Sequence, residues 1–240
     1  MLFGNTAVTG YTNSATLANS GGSTCLGGIL NRTAYWTPAM VSASGDVVMP
    51  DRATFYYKTG QFLPPAATQT LPVGLKMIAG SARATGKQTS PDGLMQVVTW
   101  ICLNGSARSA GDLTIPNCQP GDVVRLTVIF PQCWNGKDLD SPDHQSHMAY
   151  PLYSQRKCPA THPVQIPEIT EHFDWPVLPG ANPATWHLSS DMDTTKPGGL
   201  SAHADWMNGW DEATFAAIVQ QCLQKALDCE IGGMGGRKLY

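Results

Sequence analysis

Short apolar runs, each ended by turn-forming residues, are the feature of this sequence that most restricts its fold. Six such runs occur before Phe130, at residues 34–36, 47–49, 54–57, 75–78, 95–100 and 123–130. Gly, Pro and Asp lie between them, and a turn at Asn117–Asp122 precedes the clearest run. Runs of this length and spacing are typical of antiparallel strands. The sequence therefore predicts a mainly β fold, an antiparallel sandwich or jelly roll with long loops.

The overall composition indicates one domain at residues 1–240. With 24 Gly and 18 Pro among 240 residues, the chain can bury a core but is interrupted too often for long helices. Charged residues make up 14% of the sequence and the net charge is -3. The sequence therefore has no concentration of positive charge that would bind a polyanion. No apolar stretch approaches the roughly 18 residues of a membrane-spanning helix. We therefore expect neither nucleic acid nor a membrane span, and the oligomeric state stays open.

Three regions are expected along this domain: a strand-rich scaffold at 1–130, a loop region rich in His, Trp and Asp at 131–211, and a helix at 211–229. The helix is predicted because Phe215, Ile218 and Cys222 have helical spacing. Asp211 is its expected N-cap.

Seven scattered cysteines predict an oxidising compartment, since none forms the CxxC pairs of a zinc ribbon. We expect two bridges that close loops, Cys102–Cys118 and Cys133–Cys158. Cys222 and Cys229 are also expected in disulfides, yet inside one helix they would lie about 10 Å apart. Either the helix stops before Cys229 or the two have different partners. The first residues lack the charged and apolar regions of a signal peptide, so a secretory signal is expected upstream of this sequence.

All six histidines fall between positions 144 and 203, among many aspartates. Imidazole and carboxylate together suit a metal site or a general acid/base pair. The predicted catalytic residues form two motifs, Asp140 with His144 and His147, and His203 with Asp205. His144, His147 and His203 are the candidate ligands for a divalent metal such as Zn, Ca or Cu. The alternative is that these imidazoles only donate to backbone carbonyls.

Five of the seven tryptophans lie in the second half of the chain. Indole faces beside carboxylates and amides suit stacking on sugar rings, although buried tryptophans are common. The predicted substrate-binding residues are Trp134, Lys137, Trp206, Trp210 and Asp211.

The run Phe130–Pro151, with its Asp140 to His147 motif, resembles the signature of the secreted bacterial and fungal family DUF1996. Further segments agree along nearly the whole chain: Phe3–Thr6, Thr24–Cys25, Ala34–Pro38, Gly74–Gly80 and His203–Asp211. The resemblance implies an extracellular protein close to polysaccharide. It also implies an upstream segment with a cysteine and a histidine pair, which would make Cys25 the odd thiol here.

These observations together favour a secreted carbohydrate-active enzyme, a hydrolase or lyase acting on a cell-wall or plant polysaccharide. Two alternatives stay open, a non-catalytic polysaccharide- or wall-binding module and a secreted metal-binding protein.

Overall fold

A computed structural model describes residues 1–9, 12, 17, 19–60, 62–105, 107–227 and 229, and the backbone of 233–234 and 237–238. This part of the chain is mainly β, and its paired strands are antiparallel. The strands are β1 Leu2–Gly4, β2 Ala34–Trp36, β3 Met40–Val41, β4 Val47–Val48, β5 Arg52–Lys58, β6 Lys76–Gly80, β7 Val98–Asn104, β8 Ala107–Arg108, β9 Val123–Ile129, β10 Cys133–Trp134, β11 Met148–Ala149, β12 Val164–Gln165, β13 Glu168–Pro176, β14 His187–Leu188, β15 His203–Met207, β16 Gly233–Met234 and β17 Arg237–Lys238.

Two sheets carry most of the architecture. One has the strand order β5-β13-β9-β7-β8 and the other β1-β2-β15-β6. Two three-stranded sheets, β11-β10-β12 and β14-β3-β4, and the hairpin β16-β17 complete the strand pairing. This arrangement confirms the predicted antiparallel β fold.

Aromatic contacts join the inner faces of the two main sheets. The rings of Tyr35 and Phe55 stack with centroids 3.6 Å apart, and the centroids of Phe3 and Phe173 are 5.3 Å apart. The Tyr57 hydroxyl lies 2.7 Å from that of Tyr35. Strand alternation produces this core, because every second residue of a strand faces the opposite sheet.

The strand β13 lies in the segment for which the sequence predicts long loops. It has nine residues and pairs with both β5 and β9. On its inner face, Glu171 lies between the apolar residues Ile169 and Phe173. A carboxylate at an inner position removes the period-2 pattern by which a buried strand is recognised.

The helix α1 spans Glu212–Gln221, and the side chain of Asp211 accepts a hydrogen bond from the Thr214 amide at 2.8 Å. The expected N-cap is therefore confirmed, but the helix ends well before residue 229. Cys222 already has non-helical backbone angles. Of the two alternatives for this region, the early helix end is correct. None of the helices in the described ranges is long and apolar enough to cross a membrane.

Three disulfides close loops in the chain. Cys102–Cys118 and Cys133–Cys158 form as predicted, and Cys222 is bonded to Cys229. Cys25 is the free thiol.

Candidate acid-base site

The loop at residues 138–147 docks against the outer edge of β6, the last strand of the four-stranded sheet. The amide of Lys76 donates to Leu139 O at 3.0 Å, and that of Ile78 donates to His144 O at 3.3 Å. Gln145 Nε2 donates to Gly80 O at 3.0 Å. These bonds use backbone groups that an edge strand otherwise leaves unpaired. As a result, the first predicted motif lies one strand away from the second, which is on β15.

Within this loop, Asp140 orients the ring of His144. His144 Nδ1 lies 2.7 Å from Asp140 Oδ1, and Lys76 Nζ lies 3.8 Å from Asp140 Oδ2. Because the carboxylate only accepts, Nδ1 carries the proton in this bond and Nε2 is directed away from Asp140. No hydrogen bond to Nε2 occurs within the part of the chain that the structure describes. His144 also has φ of 56°, a left-handed conformation that costs energy for a residue with a Cβ.

The second motif occupies the outer face of β15. His203 and Asp205 share this face because they are two residues apart in a strand, as the sequence predicts. His203 Nδ1 donates to Ser201 O at 2.8 Å, and its Nε2 has no protein partner among the described residues. The ring of Trp36, on β2, lies 5.5 Å from that of His203 between centroids. Two imidazoles therefore have an Nε2 without a partner among the described residues: that of His203 on this face and that of His144 in the loop at the sheet edge.

Among the acids of the two motifs, Asp205 has the environment that differs most from water. It pairs across the sheet with Ile78 and Trp36, and its Oδ1 is buried without a hydrogen-bond partner. Burial raises the pKa of Asp205, and the nearby charges of His203 and His144 oppose that rise. The two motifs are adjacent in the fold, because Asp205 pairs with Ile78, whose amide donates to His144 O.

His147 has a different position from the other two predicted histidines. It is buried, with Nε2 2.7 Å from Lys76 O and Nδ1 2.8 Å from Ser141 Oγ. Both ring nitrogens are thus used in holding the loop on β6. Within the described ranges, no group of three or more His, Cys, Asp or Glu residues is placed to hold a metal ion. The structure brings together four of the five predicted catalytic residues and gives His147 a loop-anchoring position.

Two of the five predicted sugar-binding residues are in the interior. Trp206 is fully buried and its Nε1 donates to Tyr57 OH at 3.0 Å, while Trp210 is buried against Phe215. The surface position predicted for these two indoles is therefore not where they lie. Asp211 caps α1.

The other two predicted substrate residues precede the loop, Trp134 on β10 and Lys137 directly before Asp138. Trp134 is half-buried, and its Nε1 donates to Asp138 O at 2.6 Å. Lys137 is exposed.

Two residues near the site are absent from the sequence-based prediction. Trp36 is the half-buried indole beside His203. It could have been found from its place directly after Tyr35 in a short strand, because a buried Tyr35 leaves Trp36 on the opposite face. Glu171 is fully buried on β13, and neither of its carboxyl oxygens has a hydrogen-bond partner. Burial and the negative charge of Asp205 raise the pKa of Glu171 well above its ordinary value. No spacing rule identifies such a group, since its neighbours come from another sheet.

Comparison with known proteins gives a family and no activity. No curated protein and no solved structure matches the chain significantly. A family model described as a domain of unknown function, DUF1996, matches residues 1–210. This range includes both motifs and Trp36. The chain therefore belongs to the DUF1996 family.

Proposed function

We propose that this protein is a secreted carbohydrate-active enzyme that cleaves a cell-wall or plant polysaccharide by proton transfer at Asp140, His144, His203 and Asp205. The observation that carries the proposal is the adjacency of the two motifs, one on β15 and the other in the loop docked on the neighbouring edge strand β6. An acid with a raised pKa and an imidazole oriented by a carboxylate are found together there. Pairs of titratable groups in contrasting environments are typical of acid/base sites.

Each group has a role that follows from its contacts. Asp205 keeps its proton to a higher pH than an ordinary carboxylic acid, so it serves as the general acid that protonates the leaving glycosidic oxygen. His144, held through Nδ1 by Asp140, serves as the general base through Nε2. In a hydrolase this base takes a proton from water as water adds to the sugar. In a lyase it takes a proton from a ring carbon, and an unsaturated sugar is left.

The sugar class is supported by Trp36. An indole face suits stacking on a pyranose ring, and this one lies beside His203 on the outer face of the sheet. Extracellular placement is supported by the three disulfides.

The test is product release from glucans, chitin, xylan and polyuronates. New reducing ends report cleavage of either type, and ultraviolet absorbance of unsaturated sugars identifies a lyase. We expect His144→Ala to lower the rate by about 10²–10⁴-fold, as removal of a general base does. His187→Ala is the matched control, because its ring nitrogens lie near Thr185 O and Lys196 O, outside the cluster. No release from any polymer by the wild type at high enzyme loading would overturn the proposal.

The second candidate function is non-catalytic polysaccharide binding, which the position of Trp36 also favours. In that case the protein would be retained on an insoluble polymer without turnover. Retention would be lost in Trp36→Ala and kept in His144→Ala.

Elemental analysis of the purified protein is the companion measurement, since a stoichiometric metal lost in His203→Ala would assign the free imidazoles to metal binding instead.

A further inference from the structure

The outer edge of β5 has no partner strand among the described residues. β5 is the first strand in the order of the five-stranded sheet and pairs with β13 on one side only. Among the strands that the structure describes, none pairs with its other side. A seven-residue edge spans about 23 Å and offers a row of backbone donors and acceptors. Proteins usually cover or disrupt edges of this length.

A groove with a volume of about 1540 Å³ follows this edge. Every residue from 50 to 60 lines it, so it runs the whole length of β5. Cys25, Leu26, and Phe215 and Ile218 of α1 also line it. Pockets that bind small ligands typically have volumes of about 300–1,000 Å³. The volume of this groove is larger than a small-molecule ligand needs.

The two faces of β5 differ in chemistry. Phe55 and Tyr57 belong to the inner, aromatic face, whereas Tyr56 lies on the outer face. The outer face also carries the cations Arg52 and Lys58, one at each end of the strand. A strand added at this edge therefore needs apolar side chains on one face and polar ones on the other.

The neighbour on the occupied edge, β13, places an acidic residue opposite each of these cations. In β13, Glu168 lies opposite Lys58 with a 3.3 Å ion pair, and Asp174 lies opposite Arg52. A second copy of β5 would fit poorly, because antiparallel pairing about Phe55 would place Arg52 opposite Lys58. Like charges directly opposite each other destabilise a strand pair.

We propose that this groove binds an extended polypeptide strand, acidic at both ends and apolar at alternate positions, which adds to β5 as a sixth strand. Main-chain hydrogen bonds would supply affinity, and the alternate side chains would supply specificity. The inference does not depend on the proposed enzyme activity, since the acid-base cluster lies on the other main sheet.

The probe is the capped heptapeptide Glu-Val-Thr-Ile-Thr-Val-Glu, which reads the same in both directions and so fits parallel or antiparallel pairing. Calorimetry measures its affinity, and hydrogen exchange measures protection of residues 52–58. Replacing both Glu residues by Lys should weaken binding on the order of tenfold, because two attractive cross-strand pairs become repulsive. Replacing the central Ile by Pro should abolish binding, because Pro removes an amide donor and does not fit inside a sheet.

The matching protein variant is Arg52→Ser with Lys58→Ser, both exposed residues. It should bind the Glu and Lys peptides equally, while the control Arg83→Ser should keep the wild-type preference. Alkylation of Cys25 should slow when the Glu peptide is present, because that thiol lines the groove. The proposal is overturned if neither peptide binds, if the Pro peptide binds equally well, or if the protein instead forms dimers that protect residues 52–58.

Discussion

Replacement of Glu171 by Gln should make the protein more stable at neutral pH and should leave its stability almost unchanged in acid. Glu171 is fully buried, and neither carboxyl oxygen has a hydrogen-bond partner. Burial, with the charge of Asp205, raises the pKa of the folded-state carboxyl well above 4.5. Gln keeps the size and shape of the side chain but cannot ionise, so the variant isolates the effect of ionisation.

The sign follows from proton binding in the two states. Below about pH 4.5 the carboxyl is protonated in both the folded and the unfolded chain, and wild type and variant should differ by about 1 kcal/mol or less. Above that pH the unfolded chain loses the proton and the folded chain keeps it. The wild type then loses stability relative to the variant by up to about 1.4 kcal/mol per pH unit until the folded-state pKa is reached.

The assay is urea unfolding of both proteins at pH 4, 5, 6 and 7, with the difference in unfolding free energy as the measured quantity. Glu212→Gln, at an exposed position in the first turn of α1, is the control and should differ from wild type by less than about 0.5 kcal/mol throughout. A difference between wild type and Glu171→Gln that stays constant from pH 4 to pH 7 would refute the reasoning, because it would mean that Glu171 is solvated or paired.

Three further perturbations have defined outcomes. Replacing Cys133 and Cys158 by Ser should lower the free energy of unfolding by about 3.5 kcal/mol, given their sequence separation of 25. The same replacement of Cys222 and Cys229, with a separation of 7, should lower it by about 2.4 kcal/mol. Thermal unfolding compares the two variants. The first variant alone should also lower any polysaccharide cleavage, because its loop carries His144; equal activity in both would contradict that link. Asp205→Asn should remove the alkaline limb of the pH–rate profile, measured on whichever polymer is cleaved, and an unchanged limb would exclude Asp205 as the acid.

Much of the fold could be predicted because local patterns determine it. Most of the apolar run at 123–130 became β9, whose burial alternates along the strand, with Val124, Leu126 and Val128 fully buried. The Asp211 cap and the two loop-closing disulfides likewise depend on short-range spacing. β13 was missed for the opposite reason, since its recognition requires knowledge of which strands will lie beside it.

The site shows the same division between local and distant information. Alternation within β15 correctly placed His203 and Asp205 on one face. The prediction that they lie near Asp140 and His144 depended only on the clustering of histidines and aspartates in the sequence. The role of Trp206 could not be derived in this way. An indole on β15, the strand next to the edge strand β6, faces the core or solvent according to register, and register placed Ala204 and Trp206 inward.

The strand that was hardest to predict also controls how stability responds to pH. His172, the residue after Glu171, faces the other side of the sheet, and burial with the charge of Arg125 lowers its pKa to about 4. The unfolded histidine takes up a proton near pH 6.5, so this group costs stability as pH falls from about 6.5 to 4. The full shift corresponds to about 3 kcal/mol, which solvent screening at a partly exposed ring reduces to about 1–2 kcal/mol.

Glu171 acts in the opposite direction over the same range, because it costs stability as pH rises. The two effects should partly cancel in the wild type, whose unfolding free energy should vary little between pH 4.5 and 6.5. Each single variant would expose the other group: stability should rise with pH in Glu171→Gln and fall with pH in His172→Gln. Parallel pH profiles for the two variants would show that the groups do not titrate independently, and that the charge on one face of β13 changes the pKa of the group on the other.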